Sequence, residues 1–93
     1  MVCQTCFDIT KQQKVVSCLV EDKDTVKAMQ LFLEHHRVLV EPACGASLSL
    51  IYTRQDLLQP LQLATEDTIV VVVCGGAVIN SSLLDQYKRQ FSL

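Results

Sequence analysis

Residues 69–73, the run IVVVV, restrict this chain more than any other stretch. Five apolar residues in succession show no alternation between an inside and an outside face, which predicts a strand covered on both sides, as in parallel sheets. Burying each such side chain is worth roughly 1.5–3 kcal/mol, so the segment favours a central position. A sheet covered on both faces normally uses more strands and helices than 93 residues can supply. A chain of that length buries only about 60–65% of its unfolded surface around one core. Residues 1–93 are therefore expected to form a single partial domain of marginal stability.

The remaining elements are read around that strand. Residues 1–13 are polar and weakly patterned, whereas residues 14–20 (KVVSCLV) are rich in β-branched side chains and predict a second strand. In EDKDTVKAMQLFLEHHR, Val26, Met29, Phe32 and Leu33 share one helical face and Lys27, Gln30 and Glu34 the other, with Asp22 suited to the N-cap. His35, His36 and Arg37 fall in the last turn, where cations complement the helix dipole. Residues 38–40 form a short extended link, and Pro42 suits the first turn of another helix, with Glu41 just before it. The small residues 43–47 (ACGAS) let that helix start approach another backbone or a flat ligand, or pack tightly on a sheet; the residues alone leave both readings open. Leu57, Leu58, Leu61 and Leu63, broken by Pro60, predict a short helix and a loop crossing the sheet. Asn80 or Ser81 can cap a final helix in which Leu83, Tyr87 and Phe91 repeat every four residues. The expected fold class is α/β, a partial open parallel sheet with flanking helices.

Composition narrows the partners. A net charge of -2 argues against a polyanion, so nucleic acid is not expected as a ligand. The apolar runs fall far short of the ~20 residues that span a bilayer, so no membrane partner is expected either. No signal pattern opens the chain, and a cytoplasmic location is the default. Five cysteines at irregular spacing, without secretory signs, are read as reduced thiols. Cys3 and Cys6 form a C-x-x-C that is half a zinc ribbon at best, and no metal site is expected; a weaker reading joins them to His35 around zinc.

Cys74, Gly75 and Gly76 stand at the carboxyl end of the 68–73 strand, the side on which open α/β sheets bind ligands. The glycines allow close backbone approach, and a thiol first after the strand can point into the crevice. The bland alternative is a tight turn with a buried, inert thiol.

Two blocks, LVEPACGASLSLIY (residues 39–52) and VVVVCGGAVINSSLL (residues 70–84), together resemble the C-terminal region of the L-serine dehydratase/L-threonine deaminase family, pyridoxal-phosphate enzymes of fold type II. The unit SCLVEDKDTVKAMQLFLEHHR resembles the segment preceding the first block, so the resemblance covers about residues 15–91. Cysteine rather than serine before the glycines is similar to the eukaryotic serine dehydratase branch. The resemblance implies that Cys74 faces the pyridine nitrogen of pyridoxal 5'-phosphate, that Gly75 and Gly76 turn the chain beside the ring, and that Glu41 with residues 43–46 closes the other side of the pocket. A thiol is a poor permanent counter-ion and leaves the ring closer to neutral than an aspartate would, which suits β-elimination. For Glu41, a plain charge at a helix N-terminus stands beside that role.

The family's Schiff-base lysine, substrate-carboxylate loop, glycine-rich phosphate cradle and monovalent-cation ligands have no counterpart here, and Lys11, Lys14, Lys23, Lys27 and Lys88 stand in no matching context. No catalytic residue is assigned, and the isolated chain is expected not to hold the cofactor stably. The parent reaction converts L-serine to pyruvate and ammonia, or L-threonine to 2-oxobutanoate, in enzymes that are often homodimeric. The alternative is a non-catalytic interaction module that pairs with a full-length relative through an uncovered apolar surface.

Overall fold

The structure is a computed structural model that describes residues 3–74 and 78–93. Four α-helices follow one another: α1 (Gln4–Gln12), α2 (Asp22–His36), α3 (Pro42–Tyr52) and α4 (Ser81–Gln90), with a 3₁₀ segment at Gln55–Leu61. α2 packs on α3, α3 on the 3₁₀ segment, and α4 on α2. α1 packs on none of them and buries no side chain.

The expected parallel sheet is not there: among the described residues there is no strand. Residues 14–20, 38–40 and 68–74 are all irregular backbone, so the α/β reading is corrected to a helical one. The reason is physical. An apolar run records that side chains favour burial, but a ladder needs a neighbour's N–H and C=O groups alongside. The 69–73 run has no such neighbour here; Val71 is partly buried against the core, but Val70 and Val72 stay open, 80% and 74% exposed. Leu19 in the other candidate strand is also exposed, as are Leu61 and Leu63 of the expected crossover.

The accessible surface shows the same shortfall. It measures 6853 Å², against about 5,400 Å² for a compact monomer of this mass. The Cα radius of gyration is 14.6 Å, where about 12 Å is expected for this length.

What order there is comes from α2 against α3. Val26, Ala28 and Met29 of α2, Val40 of the link, Cys44 and Leu48 of α3, and Ile79 and Leu84 near the C-terminus form the core. The apolar face read for α2 is the buried one at Val26 and Met29, with Phe32 and Leu33 partly buried against the core. The crossing is close because Gly45 lies on it. A Cβ at that position would stand 2.6 Å from Met29 Cγ and 2.7 Å from the Thr25 carbonyl oxygen. The small-residue run thus meets another backbone, that of α2, and not a sheet. Arg54, just past α3, reaches Asp24 of α2 at 3.3 Å and Asp56 at 3.1 Å, tying the end of one helix to the start of the other. That guanidinium holds the Asp56 carboxyl below its usual range.

Local signals set the ends. Pro42 is the first residue of α3, as expected. Asp22 is the first residue of α2 and not its cap; Glu21 takes the cap position without a side-chain bond. His35 and His36 fill the last turn, and Arg37 closes the helix in the left-handed region (φ 58°), its N–H donating to the Leu33 carbonyl. Of the two candidate caps for α4, Asn80 is the one used: its Oδ1 accepts the Leu83 N–H at 2.8 Å. Leu83, Tyr87 and Phe91 all pack against the core. No helix among the described residues is long and apolar enough to cross a membrane.

Two consequences can be measured. Gly45→Ala should destabilise the chain by about 1–3 kcal/mol in urea or thermal unfolding, because backbone as well as Met29 must move to admit the methyl group; equal or greater stability would contradict the close crossing. Asn80→Ala should cost about 1 kcal/mol, whereas Ser81→Ala, at a position that caps nothing, should stay within about 0.5 kcal/mol of the parent.

Candidate functional site

The site is built from the N-terminal turn of α3 and the end of the extended 68–74 segment. Pro42 starts α3 with φ already suited to the helix and with no N–H to satisfy. Glu41 is therefore the N-cap residue, and its backbone carbonyl accepts from the Cys44 N–H at 3.0 Å and the Gly45 N–H at 3.1 Å. Its carboxylate makes no capping bond. The half-buried side chain stands at the positive end of the α3 dipole.

One turn in, Cys44 is buried, at 3% exposure. Its sulfur meets the backbone of Cys74 on both sides: the Cys74 N–H donates to Sγ at 3.2 Å, and the Cys44 thiol donates to the Cys74 carbonyl at 3.4 Å. This contact brings the Glu41–Cys44 turn and the Cys74 segment together across a separation of thirty positions. The thiol of Cys74 itself is exposed. The alternative of a buried thiol at Cys74 is therefore not seen; the buried thiol of this contact is Cys44, in α3. Gly75 and Gly76 lie outside the described residues.

Cys44 is the residue that sequence reasoning passed over. It was visible only as one small side chain among several, and no spacing rule links it to Cys74. The burial of position 44 follows from the α2–α3 crossing beside Gly45, which only the tertiary structure supplies.

The other candidates fall elsewhere. Cys3 caps α1 and Cys6 lies in its first turn; the Cys6 and Thr5 N–H groups, with the Cys6 thiol, lower the Cys3 thiol below its ordinary value. His35 lies 3.3 Å from the Tyr52 hydroxyl through Nδ1. No group of three or more His, Cys, Asp or Glu side chains among the described residues is placed to hold a metal ion. An open apolar groove of about 460 Å³ runs between the helices and the extended segment, lined by Phe32, Leu48, Ile51, Tyr52, Val71 and Val73 among others. A smaller one of about 210 Å³ lies at the starts of α2 and α3, beside Tyr87 and Phe91. Neither is lined by Glu41 or Cys74.

A pyridine ring needs a polar edge partner, and the exposed thiol of Cys74, whose backbone meets Cys44 of α3, has the chemistry for that part of pyridoxal phosphate. The rest of the group has no matching residues among those described. The lysines stand on α1, at position 14, on α2 and on α4, none on α3 or in residues 68–74.

No protein-family model matches the chain. It is 41% identical over 91 residues to the serine dehydratase-like protein of Rattus norvegicus, an alignment covering 92% of this chain and 27% of that protein. The serine dehydratase-like protein of Homo sapiens is 45% identical over 80 residues, or 81% of this chain and 24% of the relative. The human L-serine dehydratase/L-threonine deaminase is 33% identical over 88 residues, or 89% of this chain and 26% of the relative. The chain spans about a quarter of the length of the curated relatives it matches. Identity at this level over nearly the whole chain exceeds what two short motifs supply by coincidence, and the chain matches the C-terminal portion of proteins named serine dehydratase-like and L-serine dehydratase/L-threonine deaminase.

Proposed function

We propose that this chain, as a single partial domain in the cytoplasm, carries the pyridine-facing wall of a pyridoxal-phosphate-dependent L-serine/L-threonine ammonia-lyase and lacks catalytic capacity by itself. The observation that supports the reading is the meeting of its two motif blocks, Cys44 of the first on the backbone of Cys74 of the second. When bound, pyridoxal phosphate supplies the electron sink for loss of the α-proton and the β-hydroxyl of the amino acid.

The chain's own residues would then do three things. Cys74 offers the ring nitrogen a weak hydrogen-bond partner and not a fixed charge. Gly75 and Gly76 give the backbone room beside the ring. Glu41 places a carboxylate at the start of α3, on the opposite side. Among the described residues, none is placed as an imine-forming lysine or as a nest of N–H groups for the phosphate. The substrate would be L-serine or L-threonine, and the parent assembly a homodimer.

Incubated with pyridoxal phosphate and then borohydride, the chain should show no stoichiometric adduct on any one lysine by mass spectrometry, and no pyruvate should form from L-serine. A single stoichiometric adduct would overturn the claim of incapacity. Supplying in trans the complementary three-quarters of a relative should give pyruvate formation that falls with Cys74→Ala; a mixture whose activity ignores that substitution would remove Cys74 from the site.

The second reading is an interaction module that pairs with a full-length relative. The exposed Val70 and Val72, with the surplus of accessible surface, favour it. It predicts a stable complex with such a relative in sizing experiments even when neither partner gains activity.

A further inference from the structure

We infer that Cys44 is a positioning residue: its sulfur clamps the backbone of Cys74 and so sets where the Cys74 thiol is presented. The inference deepens the proposed function and rests on that reading for the significance of Cys74, but the clamp itself stands on geometry.

A segment that leaves a ladderless apolar run has nothing of its own to define its end. Residues 68–73 carry exposed side chains, apart from Val71, which is partly buried against the core, and they have no paired strand, so their backbone is not located by sheet bonds. At Cys74 the situation changes. A single sulfur accepts the N–H of that residue at 3.2 Å and donates to its carbonyl at 3.4 Å. Engaging both polar groups of one residue is what the facing residue of a neighbouring strand does in a hydrogen-bonded pair. Here a side chain performs that task. The Cys74 side chain takes no part in this contact, and it is exposed.

The clamp is anchored rather than floating. Cys44 is buried, one residue before Gly45, where α3 touches the α2 backbone. Rotating or lifting α3 would therefore break the core before it freed the sulfur. Sulfur also suits the span: it is a weak donor and a weak acceptor, tolerant of longer contacts than a hydroxyl. A serine in its place keeps both capacities on a shorter bond. An alanine keeps neither.

The test uses the full chain, without cofactor, as wild type, Cys44→Ala and Cys44→Ser. Site-resolved hydrogen exchange follows the Cys74 amide, and iodoacetamide labelling read by mass spectrometry compares Cys74 with Cys3 and Cys18 of the same molecule. In Cys44→Ala, exchange at the Cys74 amide should rise about three- to tenfold, the worth of one such hydrogen bond. Exchange at Met29 and Leu48 should stay within twofold. The labelling rate of Cys74 should change at least threefold relative to Cys3 and Cys18, and Cys44→Ser should recover part of both effects. Unchanged Cys74 exchange would overturn the inference, as would a uniform rise across α2 and α3, which would mark Cys44 as mere packing. Should Cys44→Ala fail to fold, Cys44→Ser decides. Cys74 exchange within threefold of wild type supports the clamp, and exchange at the rate of an open coil refutes it. No cofactor enters these measurements, so a selective loosening alongside a failed trans-complementation would refute the cofactor reading and keep the clamp.

Discussion

The approach of α3 to α2 at Gly45 is the contact on which the rest of this structure depends. With the Thr25 carbonyl and Met29 occupying the space a side chain would need, the two helices meet backbone to backbone, and this seats Cys44, Leu48 and Ser49 in the interior. Every other helical element except α1 is secured to this pair. Arg54 ties the C-terminal end of α3 to Asp24 near the start of α2. Ile79 and Leu84 bring α4 onto the same core, with Tyr87 and Phe91 at its margin.

The candidate site inherits its geometry from that crossing. Burial of Cys44 puts a sulfur at the surface of the helix pair facing the extended segment, and the segment is tethered where it passes that sulfur, at Cys74. Upstream of the tether, Val71 packs partly against the core while Val70 and Val72 are left uncovered. The exposed thiol therefore stands at the boundary between a located backbone and a poorly covered one. In a chain spanning a quarter of its relatives' length, an arrangement of this kind accounts for both an assembled motif pair and an unusually large accessible surface.

How much of this was legible in the sequence divides by the range of the interaction. The apolar face of α2, the first-turn role of Pro42, the cationic last turn of α2 and the capping of α4 by Asn80 all depend on residues within one or two helical turns, and each was readable. The one-residue shift at the start of α2, from Asp22 to Glu21, is of the same local kind. The two strands were not readable correctly. β-Branched composition at 14–20 and at 69–73 reports a preference for extended, covered backbone, and whether a ladder forms is decided by a neighbour that composition does not describe. α1 escaped the sequence reading as well: it is a short helix that buries no side chain, so its pattern has no counterpart in the core.

By itself the amino-acid sequence determined the family resemblance, through the order and spacing of EPACGA and CGG, and the helices whose boundaries are written in nearby residues. Those features survive because they need only short-range geometry and residue chemistry. Tertiary structure alone decided that the run at 69–73 remains unpaired, that Gly45 serves a helix crossing, and that the buried thiol is Cys44 while Cys74 stays open. Each of these depends on which distant groups come within a few ångströms, and a linear pattern carries no record of that distance.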